Sequence, residues 1–287
     1  MDIVPQLIAN SLIAAGLYAM LAIGFNLIYS TTKFFDLGYG VMTAVGGYGA
    51  YFSLKTLDLP WPIAAIIGTL LAGLVGYVVY RVVYAPLRAR QATNMALMVA
   101  ALGVLTMLQA FISILFSNQF QPLGAPVGGV LNIWGAAISH TQIWILAASS
   151  FVMFALSYVL SSTSFGKAVR AIGDNEEVSK IVGIHTKKII GYVFFVGSAI
   201  GGLAGILYGL DTGIEPTMGL ALLLKGVVAS IIGGIGNVYA GVLGAVVLGF
   251  AENFGIWKIS GEWKDAIAFG LLILFLIFRP NGLIRKS

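Results

Sequence analysis

Apolar residues fall into nine blocks along the chain, separated by short polar interruptions: 6–30, 36–54, 63–84, 94–116, 142–161, 189–210, 218–234, 238–257 and 265–278. Most reach the roughly 18 apolar residues that a bilayer-crossing helix needs. The pattern predicts an all-α polytopic membrane protein with eight to ten transmembrane helices, nine preferred. Blocks 36–54 and 218–234 are short or glycine-broken, and either could be re-entrant. A β-barrel would instead show short alternating segments with polar lumen positions. The predicted organisation is one transmembrane domain over 1–287, with one long polar loop inside it.

That loop, 164–188, reads SFGKAVRAIGDNEEVSKIVGIHTKK. It holds the basic residues Lys167, Arg170, Lys180, Lys187 and Lys188 and the acidic residues Asp174, Glu176 and Glu177. Gly173 reads as an interruption of the helix that starts at Phe165. Asp174 then reads as an N-cap with Glu177 three residues on, a capping-box spacing. Val178, Ile181 and Val182 recur at i, i+3 and i+4, one apolar face of a short helix. Gly183 suits the residue just past its end. The expectation is a two-turn helix that offers a small apolar knob rimmed by charge. The competing expectation is a solvated connector whose charges only set topology.

Composition agrees with the pattern. The 287 residues are 59% hydrophobic and 9% charged, with a mean hydropathy of +0.96, whereas soluble domains carry about 25% charge. The N-terminal apolar block has no basic region before it and reads as a retained first span. Cysteine is absent, which removes disulfides and thiolate chemistry. His140 and His185 are isolated in loops, so no metal site is expected. The net charge of +5 is no nucleic-acid signal, because Lys and Arg gather in the cytoplasmic loops of membrane proteins. With nine spans and the 164–188 loop in the cytoplasm, that side holds Lys33, Arg81, Arg88, Arg90, the five loop cations, Arg279, Arg285 and Lys286. The other side holds Lys55, Lys258 and Lys264, and Lys225 lies within a span. This imbalance predicts an outside N-terminus and a cytoplasmic C-terminus.

Gly197, Gly201, Gly205 and Gly209 recur every four residues, a small-residue stripe that lets a neighbouring helix approach closely. Gly68, Ala72 and Gly76, and Gly241, Ala245 and Gly249, repeat the device. Tight packing within the chain and subunit dimerisation both fit. For a translocation path the candidates are polar or ionisable groups in or beside the spans: Asp36, Tyr39, Thr43, Asn94, Gln109, Lys225 and Glu252. An ionisable residue inside a span invites a functional reading. The alternatives are snorkelling for Lys225 and helix bridging for most of the others.

The loop motifs also carry a resemblance. Thr163–Ala171 reads T-S-F-G-K-A-V-R-A, followed by Gly183-Ile184 and by A-G-I-L at 204–207. Further on stand G-G-x-G-N at 233–237, Glu252 and R-P-x-G-L at 279–283. The chain resembles the permeases of ABC importers for branched-chain amino acids, of the LivH/LivM type, and the LivH-like partner above all. Val178 and Ser179 stand where that family's coupling motif has two alanines. Asp36 and Tyr39 stand where it commonly has Asn and His.

The resemblance implies a bacterial or archaeal cytoplasmic (inner) membrane protein that hydrolyses no ATP itself and binds no cofactor; ATP and Mg would sit on partner subunits. Ser161–Ala168, the nearest approach to a Walker A sequence, fails at both ends of that motif. Gly234–Gly236 lacks the third glycine of a dinucleotide fingerprint and lies between spans. Implied partners are a second, LivM-like permease chain, two cytoplasmic ATPase subunits, an extracytoplasmic solute-binding protein and membrane lipid, with no nucleic acid. The ATPases would meet loop 163–188, where Val178, Ile181 and Val182 would fill their cleft and Arg170, Glu176, Glu177 and Lys180 would rim it. Loop 117–141 and the 211–217 turn would face the binding protein. The same fold could carry urea, a short amide or a sugar. A secondary transporter or channel is the reading from another class, and it has no use for a coupling loop.

Overall fold

A computed structural model describes residues 3–124, 129–133, 135–280 and 282–284. Pro126, Gly128, Arg285 and Lys286 lie outside the described residues. Among these residues nine apolar helices occupy the nine apolar blocks. They are α1 (Val4–Thr32), α2 (Val41–Lys55), α3 (Trp61–Val79), α5 (Asn94–Phe116), α6 (His140–Ser162), α9 (Thr186–Thr212), α10 (Met218–Gly233), α11 (Val238–Ile256) and α12 (Lys264–Phe278). Three short helices complete the set: α4 (Ala85–Ala89), α7 (Ser164–Asp174) and α8 (Glu176–Ile181). A π turn at Tyr80–Tyr84 joins α3 to α4, giving one continuous helical stretch. Among the described residues, six helices are long and apolar enough to cross a membrane: α1, α3 with its extension, α5, α6, α9 and α11. Nine crossings are therefore more than length and composition alone establish. Loop 117–141 is not wholly irregular. It contains an antiparallel hairpin of β1 (Val130–Ile133) and β2 (Ala136–Ser139), with Val130 opposite Ser139.

Local sequence accounts for the helix ends. Pro5 and Pro62 sit in the first turns of α1 and α3, where a missing N–H costs nothing. Ser139 and Gln142 form a complete capping box at the start of α6. Asn237 caps α11 by accepting from the Tyr239 and Ala240 amides. Block 36–54 begins later than its hydropathy suggests. Asp36 caps a single 3₁₀ turn, Leu37–Tyr39, and α2 starts only at Val41.

The core is built around α1, which packs chiefly on α11, α9 and α10. Met20, Ala22 and Leu27 are fully buried there. A helix apolar all round belongs inside a bundle, and α1 is buried over most of its length, with Val4, Ile8 and Leu12 exposed only in its first turns. By contrast α5 and α6 leave most of their apolar surface open, as lipid-facing helices do. The glycine stripe on α9 packs within the chain. Gly197 meets Ile28, Gly201 meets Tyr39, and Gly205 lies against the Thr43 carbonyl, where a Cβ would collide with the backbone of α2. Gly205→Val is expected to lower stability by about 1–3 kcal/mol through overpacking. Gly103→Ala on the open face of α5, where a Cβ meets no atom, should move the melting temperature little. Thermal melting in detergent compares the two.

Contacts sort the helix ends into two poles. At one pole Tyr84 donates to Asp36 (2.7 Å), Gly173 abuts the Ser30 carbonyl, the Gly236 amide donates to Asn26 (3.0 Å) and the Leu283 amide donates to Ile232 O (2.9 Å). At the other, Gln6 bonds Ala137, Gln121 bridges Ile214, and Trp61 stacks edge-on against Trp144. The loop 164–188 belongs to the first pole.

Candidate functional site

The polar loop folds as two helices, placed differently from the capping expectation. Thr163 caps α7 by accepting from the Gly166 amide (3.1 Å), and α7 runs unbroken through Gly173 to Asp174. Gly173 is helical because its bare Cα lets α7 rest on the Ser30 carbonyl. Asp174 is therefore the last residue of α7 and not a cap. Asn175 takes that role: its Oδ1 accepts from the amides of Glu177 (2.9 Å) and Val178 (3.1 Å). With the cap one residue later, Glu177 no longer holds the capping-box position. The far end behaves as expected. Gly183 has φ +87°, its amide donates to Lys180 O, and the Ile184 amide donates to Ser179 O, the pair of bonds that closes a Schellman end.

This frame holds the apolar knob outward. Val178, Ile181 and Val182 are 52%, 82% and 68% exposed, whereas Ser179 on the opposite face is buried and bonds Asn175 O at 2.8 Å. Among the described residues the triad does not pack against the core. Glu176 ties α8 to the bundle through an ion pair with Arg88 of α4, and within α8 it also pairs with Lys180 at i,i+4 (2.9 Å). Arg170 does not rim the knob. It donates to the Leu160 carbonyl at the end of α6 and lines a separate cavity of about 290 Å³ with Asp174 and Asn237.

The seven path candidates do not converge. Asp36, Tyr39 and Thr43 are buried. Asp36 lies between α1 and α2, where its carboxylate accepts from the Tyr84 hydroxyl (2.7 Å) and the Gly38 amide (2.9 Å). Asn94 reaches the Lys33 carbonyl at the loop pole (3.4 Å), and Gln109 sits half-buried on α5. Lys225 and Glu252 meet each other. The Lys225 ammonium is 2.6 Å from Glu252 and 2.7 Å from Asp265, Tyr18 donates to the second Glu252 oxygen at 2.6 Å, and Lys264 stands 3.7 Å away. The cluster joins α1, α10, α11 and α12. Lys225 is held by carboxylates, so it has no need to snorkel.

Beside this cluster, at the pole away from the loop, lies a cavity of about 250 Å³ whose lining includes Tyr18, Gln142, Asp211, Asn253 and Lys264. It brings the Asp211 carboxylate, which accepts from the Gln142 side chain, and the Lys264 ammonium to the same mouth. Tyr18, Lys264 and Asp265 escaped sequence reasoning because their partners lie on other helices. Arg88 did too, because it is 88 positions from Glu176 in sequence. Among the described residues no group of His, Cys, Asp and Glu could hold a metal ion.

Residues 7–276 match the family model described as branched-chain amino acid transport system / permease component. The chain is 30% identical to the high-affinity branched-chain amino acid transport system permease protein BraD of Pseudomonas aeruginosa, covering 98% of this chain and 95% of BraD. It is 28% identical to LivH of Escherichia coli, a permease of the same description, with 98% and 95% covered. It is also 28% identical to the ribose import permease RbsC of Haemophilus influenzae, with 98% and 86% covered. Among solved structures, PsaBC from Streptococcus pneumoniae in complex with Fab shares the fold at a TM-score of 0.54 and 13% identity, covering 95% of this chain and 91% of that one.

Proposed function

Because the chain belongs to the family of branched-chain amino acid transport system permease components, we propose that it is the membrane-spanning subunit of an ATP-driven importer for branched-chain amino acids. In this reading the chain crosses the cytoplasmic membrane nine times, with its N-terminus outside and its C-terminus inside. Two separate ATPase subunits bind α7 and α8 and supply ATP and Mg. A LivM-like chain completes the permease, and a solute-binding protein delivers amino acid at the opposite pole.

The observation that carries the proposal is the outward knob on α8. Three adjacent apolar side chains, fixed by an Asn cap, a Schellman end and an ion pair to α4, are what a partner cleft would cover. A secondary carrier or channel would gain nothing from this construction. Closure of the ATPases would push α8. Gly173 against Ser30 and Glu176 against Arg88 would pass that push to α1 and α4, rocking helices between two packings.

The kinship with RbsC makes a sugar the second reading of the cargo. The cavity near Tyr18 favours an amino acid, because Asp211 and Lys264 offer opposite charges that a zwitterion matches and a sugar does not. The test is uptake by whole cells producing the complete importer, with and without the ATPase subunits, using labelled leucine and labelled ribose. Leucine uptake that requires the ATPases is the expected result. Uptake that persists without them would sink the ABC reading, and ATPase-dependent ribose uptake would correct the cargo alone.

A further inference from the structure

Where the π turn after α3 meets the first turn of α9, a cavity of about 270 Å³ is lined by Tyr77, Tyr80, Arg81, Ala85, Lys187 and Lys188. Three of the six residues are cations, and none is an acid. No ion pair is formed by Arg81, Lys187 or Lys188 among the described residues, whereas the nearby Glu176 is already held by Arg88 and Lys180. Glu177 opens onto the neighbouring cavity, together with Lys187. The two lysines occupy the first turn of a 27-residue helix, where the macrodipole is itself positive. Like charges gathered there are unfavourable unless an anion joins them. The apolar surroundings say where that anion comes from. Leu71, Leu74 and Val78 continue the exposed face of α3 away from Arg81, and Tyr192 is exposed one turn beyond Lys188, stacked on Tyr77. A phosphate at the three cations would thus have acyl chains lying along an open apolar stripe.

We propose that this cavity binds the phosphate of an anionic phospholipid, with Arg81, Lys187 and Lys188 as its ligands and the α3–α9 seam as the bed for its chains. Arg81 is pre-set for this, because its guanidinium already bonds the Tyr77 hydroxyl (3.0 Å), leaving further N–H groups for a phosphate fork. The site adjoins the α8–α9 turn and, through Ala85, the start of α4.

Native mass spectrometry of the full chain, released from mild detergent with added dioleoylphosphatidylglycerol or dioleoylphosphatidylcholine, tests the proposal. The wild type should retain one more phosphatidylglycerol than an Arg81→Gln/Lys187→Gln/Lys188→Gln variant, and should show no such preference for phosphatidylcholine. Each cation near a membrane surface contributes roughly fivefold in affinity, so Lys187→Gln alone should lower occupancy by about that factor. The charge-preserving set Arg81→Lys/Lys187→Arg/Lys188→Arg should keep the lipid, which guards against a variant that merely misfolds. Equal retention by wild type and triple variant would overturn the site. Displacement of the lipid by inorganic phosphate would show a phosphate-ion site in its place and also overturn it. A triple variant that keeps its lipid but loses copurifying ATPase subunits would assign the cations to the partner.

Discussion

Ile181→Asp is expected to abolish coupled uptake while leaving the chain folded. Ile181 is 82% exposed and lies in the last turn of α8, so the free permease loses no internal contact. In the assembled importer the same position would be covered by an ATPase subunit, and the aspartate would be an unpaired charge in a closed apolar seat. Stranding a charge in that way costs about 3–5 kcal/mol. That corresponds to a fall in ATPase association, and hence in uptake, of at least about a hundredfold. Copurification of the ATPases and leucine uptake measure the loss; thermal melting of the isolated permease should be unchanged. Glu177→Gln serves as the contrast, since it sits at the rim and should cost below about 1 kcal/mol. If Ile181→Asp binds the ATPases normally, α8 is not the docking element.

The distribution of hydrophobicity along the chain carried most of the fold, because an apolar block in a bilayer has few structures open to it. Backbone groups must bond internally, and an apolar run becomes a helix. What hydropathy could not supply was how two adjacent small polar residues divide a cap between them. Asp174 and Asn175 are both good caps, and Gly173 looks like a breaker. The choice fell to Asn175 because Gly173 is needed inside α7, where it touches Ser30, 143 residues away in sequence. The start of α2 shifted for a similar reason. Asp36 could have opened a helix, but Tyr84 holds it in a separate turn.

The outward face of α8 was legible because its signals are local: a short apolar face, a charge rim and a terminal glycine, all within ten residues. The buried ionic cluster was less so. Lys225 read as an isolated charge in a short span, and the sequence contains nothing near it that answers that charge. Glu252 is 27 residues away, Tyr18 is on the first helix, and Asp265 opens the last. Only packing of α1, α10, α11 and α12 makes them neighbours. The glycine stripe posed the opposite difficulty, since close approach to a partner chain and to the chain's own helices leave the same pattern. Gly205 against Thr43 decides for the latter.

Lys225→Met should therefore damage stability rather than selectivity. Glu252 is completely buried, and the ammonium at 2.6 Å is its nearest positive charge. After the substitution the carboxylate retains the Tyr18 hydroxyl and an ammonium at 3.7 Å from Lys264. Removing one partner of a buried pair costs about 3–5 kcal/mol, enough to lower the melting temperature clearly and reduce the amount in the membrane. The double variant Lys225→Met/Glu252→Met removes both charges and should recover most of that loss, because apolar side chains of similar size suit the site once no ion remains. Asp265→Asn is the control. Its carboxylate is 73% exposed, water already screens it, and the change should cost less than about 1 kcal/mol. Thermal melting of the four proteins in one detergent gives the answer. If Lys225→Met melts with the wild type yet transports poorly, Lys225 belongs to the path and the cluster is not a structural clamp.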